Sequence, residues 1–351
     1  MTSKERVLTT LSRKIPDRVP VFEFIYSRPF FEEVLGYVPE IYDPEDVVKL
    51  YMKVGYDLCF CPFGGQGGFM VKAGSTDIYQ DEWQTTYQKH SSTWPIDAPV
   101  DFPIKSTNDW NNYTMPDPGI PSRLDGIKTT VRLAREKEMA VAGSVRGPYS
   151  AAMLLMGMEG LSVSFYDEPE LVTDIMTKCV DFYIEGGVRM IEAGADIIWI
   201  ADDYGSTSAP LLSPALFREF IIPQVTRMIA AFRKLGTPVI FHSDGNIRPL
   251  TDDLVGTGIT ALNPIERSAG MDLAEMKRTY GSRIALVGNV DNKHTLVKGS
   301  VADVEAEVKE CIAVAAGNGG YILCSDHSVH DDTPNENIFA MVEACHKYGW
   351  Y

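Results

Sequence analysis

Basic residues are in short supply in this sequence: its 351 residues hold 32 Lys and Arg against 48 Asp and Glu, a net charge of −16. No basic run exceeds two residues. A chain so patterned is a poor partner for nucleic acid or for an anionic membrane surface, although a pocket can carry local charge of the other sign. Cysteine is sparse as well. Cys59, Cys61, Cys179, Cys311, Cys324 and Cys345 follow no disulfide-framework spacing, so reduced thiols and a cytoplasmic setting are expected. No stretch approaches the roughly 18 apolar residues of a membrane-spanning helix. The opening Met1-Thr-Ser-Lys-Glu-Arg6 lacks the apolar core of a secretory signal. Nor does a G-x-G-x-x-G follow the first apolar strand, which weakens a doubly wound dinucleotide fold, the runner-up architecture.

What is present reads as an ordinary globular chain, with 45% hydrophobic, 10% aromatic and 23% charged residues. Thr2 with Glu5 forms a capping-box pattern opening a helix over 2–14, and Asp43-Pro44 opens a second. Apolar strands are expected near residues 19, 57, 139, 196, 238, 259, 283 and 320, with helix-length sequence between them. Ser213-Pro214 starts a long helix that Pro223 should kink. Eight strand–helix units in this length predict the α/β class: a single (β/α)8 TIM barrel over 1–351, with N-terminal helices. Residues 71–118 break the rhythm between strands 2 and 3 and read as an insertion. Within it, alternation over 78–87 predicts a β-hairpin and 95–118 reads as connector.

In such a barrel the chemistry belongs at the C-terminal strand ends. These present Glu23, Arg146 with Tyr149, Asp202-Asp203-Tyr204, His242-Ser-Asp244, Asn263 with Glu266, Asn289, and finally Asp326-His327 with His330. Residues two apart on a strand face one way, so His242 and Asp244 can meet one ion, with His327 as a second imidazole. The structural alternative is a strand-end histidine beside an Asx turn. Asp203 and Glu266 are the candidate catalytic acids. Asp202 and Asp203 face opposite ways, so one should enter the pocket while the other caps the Tyr204-Gly205 turn. Glu23, Arg146, Tyr149, Tyr204 and Asn289 are candidate substrate contacts, Arg146 as an anchor for a carboxylate or phenolate. Cys59 and Cys61 read as core, and His90, His294 and His346 as solvated surface.

Lys4-Glu-Arg-Val-Leu8, Pro16-Asp-Arg-Val-Pro20, Gly147-Pro148-Tyr149, Asp202-Asp-Tyr-Gly205, Ser213-Pro214, His242-Ser-Asp-Gly-Asn246, Tyr280-Gly281 and Thr333-Pro-Asn-Glu-Asn337 fall in an order that resembles the uroporphyrinogen decarboxylase superfamily. The likeness is to its corrinoid-dependent methyltransferase branch, and it implies a (β/α)8 barrel. The decarboxylases of the family carry Arg-Gln-Ala-Gly-Arg after the first strand, where this chain has Glu23-Phe-Ile-Tyr-Ser-Arg28. Its methyltransferases hold zinc through a His-x-Cys pair and a later Cys. By that resemblance His242 matches the His, Asp244 stands at the first Cys, and His327 at the second. Replacing thiolates with Asp and His hardens the site towards oxygen ligands. The resemblance thus implies zinc held by His242, His327 and an acid, Asp244 or Glu266, and a small-molecule methyl ether as donor. The acceptor implied is the Co(I) of a corrinoid, a cobalamin-like cofactor carried by a partner corrinoid protein. Gly64-Gly65, Tyr204-Gly205 and the insertion should ring the mouth where that partner docks. The alternatives are a metal-free carboxy-lyase and a non-catalytic barrel that binds a corrinoid or tetrapyrrole; a homodimer is compatible with either.

Overall fold

The computed structural model describes residues 1–39, 43–65, 71–74, 77–90 and 94–351, with residues 71–74 described by backbone alone. Its centre is a parallel sheet in which β2 (Leu58–Pro62), β7 (Ala140–Arg146), β8 (Ile197–Ala201), β9 (Val239–His242), β10 (Ala261–Asn263), β11 (Ala285–Val287) and β12 (Tyr321–Ile322) lie side by side in chain order. The seam between β12 and β2 is closed by the extended segment near residue 20. Phe22 donates its N–H to the Leu323 carbonyl, Leu323 donates to Pro20, and Asp57 donates to Val21. Just beyond, β1 (Ile25–Tyr26) pairs in parallel with β13 (Val329–His330). Eight strand positions close the barrel, as the sequence predicts.

The interior is aromatic. Trp199 of β8 meets Phe22 and Phe24 from the closing segment, each at 5.2 Å between ring centroids, and Phe60 of β2 at 5.8 Å. Contacts spanning strands this far apart in the sheet fill the barrel with side chains, leaving a packed core rather than a pore. The N-terminal helix, Ser3–Leu11, carries the Thr2/Glu5 capping box. It lies near the β2–β7 edge, where wholly buried Asp57 accepts hydrogen bonds from Ser3 Oγ, Arg6, Arg18 and the Val21 N–H.

Two sequence expectations change in detail. The insertion is a four-stranded antiparallel sheet of β3 (Val71–Gly74), β4 (Ile78–Asp81), β5 (Thr86–Gln88) and β6 (Ala98–Asp101), with the predicted hairpin at its middle. Part of the supposed connector is therefore an edge strand, and its Pro99 is tolerated because an edge has an unpaired side. The sheet is held by Arg123 on Glu82, both buried, and by Trp83, which packs on Phe182 and Tyr183. The helix containing Pro223 is interrupted by a π-helical segment, Phe217–Ile221, directly before Ile222–Lys234. A wider turn accommodates the amide that proline lacks. Among the described residues no helix is long and apolar enough to cross a membrane.

Candidate metal centre

Three neighbouring strands end at one level. Ala201 of β8 and Asn263 of β10 are the register partners of His242, the last residue of β9. The loops that follow β8 and β9 then touch through glycine. A Cβ on Gly245 would lie 2.2 Å from the Gly205 carbonyl carbon, and one on Gly205 would lie 2.7 Å from the Asp244 carbonyl. Gly245 also sits at φ +82°, where glycine alone is unstrained. Asn246 N–H bonds the Ser206 carbonyl across the same contact. This approach carries Asp203 over β9.

The outcome is a compact triad. One donor atom each from Asp203, His242 and Asp244 lies within 4.8 Å of the others. His242 Nε2 is 3.5 Å from Asp203 Oδ1 and 3.7 Å from Asp244 Oδ2, and His327 Nε2 approaches Asp244 Oδ2 at 3.6 Å. Donors around a tetrahedral zinc with bonds of 2.0–2.1 Å stand about 3.4 Å apart, so these spacings need little adjustment to share an ion. His327 joins through Asp244 and is half exposed, whereas His242 is mostly enclosed. Asp244 Oδ1 is buried with no hydrogen-bond partner. An orphaned carboxylate oxygen beside two imidazoles is a donor set that fits a divalent cation.

The charges in the triad are mutually dependent. Burial opposes protonation of His242, but Asp244, Asp203 and the Asn263 amide outweigh it and raise its pKa to about 9. Burial opposes ionisation of Asp244, yet the imidazoles of His242 and His327 hold its pKa below the ordinary value. Asp203 is pushed up by desolvation and by the adjacent Asp244 charge. Beneath the triad, Glu23 is wholly buried; its carboxylate accepts from the Phe24 and Ser325 N–H groups, and burial lifts its pKa to about 7. Tyr26 lies among the same acids: burial, Asp244 and Glu23 keep it in its phenol form.

The other expected residues are placed elsewhere. Asp202 does not cap the Tyr204-Gly205 turn; its carboxylate accepts from the Tyr149 and Ser150 N–H groups, capping the helix Pro148–Met156 from a neighbouring strand. Glu266 accepts from Gly245 N–H at 2.6 Å and from Ser268 Oγ, and so braces the glycine contact instead of joining the triad. Tyr149 and Tyr204 are buried, Tyr204 against Phe217 and Phe241, in the apolar layer behind the sheet. Asn289 is fully buried and its amide donates to the Ile265 carbonyl. Arg146 borders a small cavity with Asp81, Trp83 and Tyr183, beside the insertion. His346 is half-buried against Gly55 rather than solvated. Asn263, placed by the sequence at the strand ends but given no role there, has its Oδ1 2.5 Å from His242 Nδ1. Strand register, which aligns the last residues of β9 and β10, is the signal that would have found it.

Residues 97–348 match the family described as uroporphyrinogen decarboxylase (URO-D). The chain is 28% identical to the methylcobamide:CoM methyltransferase MtaA of Methanosarcina barkeri, over 99% of this chain and 98% of that protein. It is 25% identical to a uroporphyrinogen decarboxylase of Geobacter sulfurreducens over 72% of this chain and 74% of the relative. Among solved structures, a methyltransferase from Methanosarcina mazei superposes with a TM-score of 0.76 at 23% identity, covering 99% of both chains, a likeness of fold. With the barrel in hand and the family's pattern matched over most of its length, this chain belongs to the uroporphyrinogen decarboxylase (URO-D) family.

Proposed function

We propose that this chain is the methyltransferase component that removes a methyl group from a methyl ether and passes it to the Co(I) of a corrinoid on a partner protein. The full-length relatives named methylcobamide:CoM methyltransferases support the corrinoid link. The observation that carries the finer reading is the donor set: Asp203, His242, Asp244 and nearby His327 offer only nitrogen and oxygen. Such a site suits a harder ion environment and an oxygen-bound donor better than a thiol. Zinc held there supplies Lewis acidity that makes the departing alkoxide or phenolate a better leaving group.

The chain's own residues do the rest. His242 and the two aspartates bind; Asn263 orients the imidazole. Phe24, edge-on to His242 at 5.9 Å between ring centroids, walls the site with apolar surface. Tyr26, its pKa raised by burial and by the charges of Asp244 and Glu23, stays a neutral phenol. Decarboxylation of a polycarboxylate is disfavoured at the same place, because Arg28 is engaged by Asp331 and Glu23 occupies the strand end.

The test is metal analysis of the purified protein, followed by methylation of Co(I)-corrinoid with aryl and alkyl methyl ethers and with a methylated thiol, and by a separate decarboxylation assay on uroporphyrinogen. Stoichiometric zinc and ether-dependent Co–CH3 formation, both lost in His242→Ala, are the expected result. Full activity without metal overturns the reading. Methyl exchange with the thiol alone favours the reaction in the relatives' names, run on a harder site.

A further inference from the structure

Asn263 decides which nitrogen of His242 faces the triad. Asn263 is completely buried at the end of β10. Its amide cannot be oriented either way at equal cost, because Nδ2 donates to the Val287 carbonyl at 3.2 Å. Turned over, the carboxamide would set its oxygen against that carbonyl oxygen and its NH2 against the ring nitrogen. Oδ1 therefore faces His242 Nδ1, at 2.5 Å. A carbonyl oxygen accepts only, so Nδ1 carries a hydrogen whatever the charge of the ring, and Nε2 is the nitrogen left facing Asp203 and Asp244, free to bind an ion once its own proton leaves. The neighbouring backbone has little freedom to relax this arrangement: a Cβ on Gly288 would stand 1.9 Å from the Pro264 carbonyl oxygen, so the turn after Asn263 is packed directly on the loop after β11.

We propose that Asn263 is a positioning residue that fixes the His242 tautomer and, through it, sets the affinity of the triad for a divalent cation. The inference rests on the metal reading of the site and adds to it the residue that makes the imidazole a competent ligand. Without an acceptor at Nδ1 the ring is free to rotate or to adopt the other tautomer, and each directs an N–H at the position an ion would take. Loss of such a supporting partner lowers metal affinity by roughly 10–100-fold in sites of this kind.

The experiment measures binding of Zn2+ by chelator competition, and of Co2+ by its visible spectrum, to the full chain and its variants. Asn263→Leu, which fills the space but offers no acceptor, should bind roughly 10–100-fold more weakly with an altered Co2+ spectrum. Asn263→Asp keeps the acceptor at Nδ1 while giving up the donor to the Val287 carbonyl, and should bind more tightly than Asn263→Leu. If Asn263→Leu does not fold, Asn263→Ala carries the same expectation. Leu or Ala binding as tightly as the parent, with an unchanged spectrum, overturns the positioning role and leaves the metal reading intact. A parent protein that binds neither ion overturns both, and the unsubstituted chain alone reveals it.

Discussion

At the scale of single residues, the triad couples protons to cations. In the metal-free protein His242 has its pKa raised to about 9, with Asp244 held low beside it. Below that pH the imidazole carries a proton which an ion must displace. Zinc affinity should therefore climb about tenfold per pH unit up to pH 9 and level off above it, with one proton released per ion bound. Chelator competition across pH 6.5–9.5 measures the slope; a flat profile contradicts the assignment of His242 as ligand. Stability runs the other way. Since His242 titrates higher folded than its ordinary 6.5, its contribution is complete below pH 6.5 and disappears as the pH rises through 9. The two signs differ, so melting with and without zinc should diverge as the solution becomes alkaline. The pairing of His242 with Asp244 was legible in the sequence because two-residue spacing places both on one side of a strand. Asn263 was not, because its role depends on a neighbour 21 residues away in the chain that only strand register brings alongside. Tyr149 and Tyr204 misled for a related reason: adjacency to a strand end says nothing about which layer receives the ring.

At the scale of elements, geometry is enforced by backbone contacts that leave no trace in the ligands themselves. Gly245→Ala meets both an unfavourable φ and the Gly205 backbone at 2.2 Å. It should separate the two loops, costing about 1–3 kcal/mol in stability, and should weaken zinc binding although every donor side chain remains. Equilibrium unfolding and chelator competition on the same sample test the pair of effects together. Asp202→Ala should separate the two effects. It removes the carboxylate that caps the helix Pro148–Met156 through the Tyr149 and Ser150 N–H groups, costing about 0.5–2 kcal/mol, while zinc affinity stays close to that of the parent. In the sequence Asp202 and Asp203 look interchangeable; strand alternation separates them, one to the helix layer and the other to the mouth. The capping role was hidden because the helix it serves starts about fifty residues earlier.

At the scale of the whole molecule, the barrel was legible because eight apolar segments recur with helix-length spacing. The size of the insertion was not: β6 contains Pro99 and lacks the alternation that marks β4 and β5. What ties the N-terminal region to the barrel is Asp57, completely buried and bound by Arg6 and Arg18. Asp57→Ala leaves buried Arg18 without its counter-charge and Arg6 with Asp17 alone, and unfolding should show a loss of about 3–5 kcal/mol with unchanged zinc stoichiometry in the fraction that folds. The closing seam has a further implication, for the order in which the protein is made. Glu23 grips the Ser325 amide 302 residues downstream, and His327 follows two residues later. During synthesis the first strand position leaves the ribosome long before its partner exists. Its apolar side chains, Phe22, Phe24 and Ile25, must wait unpaired while the other strands assemble. If zinc binds as proposed, its capture by a donor set that includes His327 reports on the final event of folding, and zinc uptake timed against chain elongation would date the moment at which the barrel shuts.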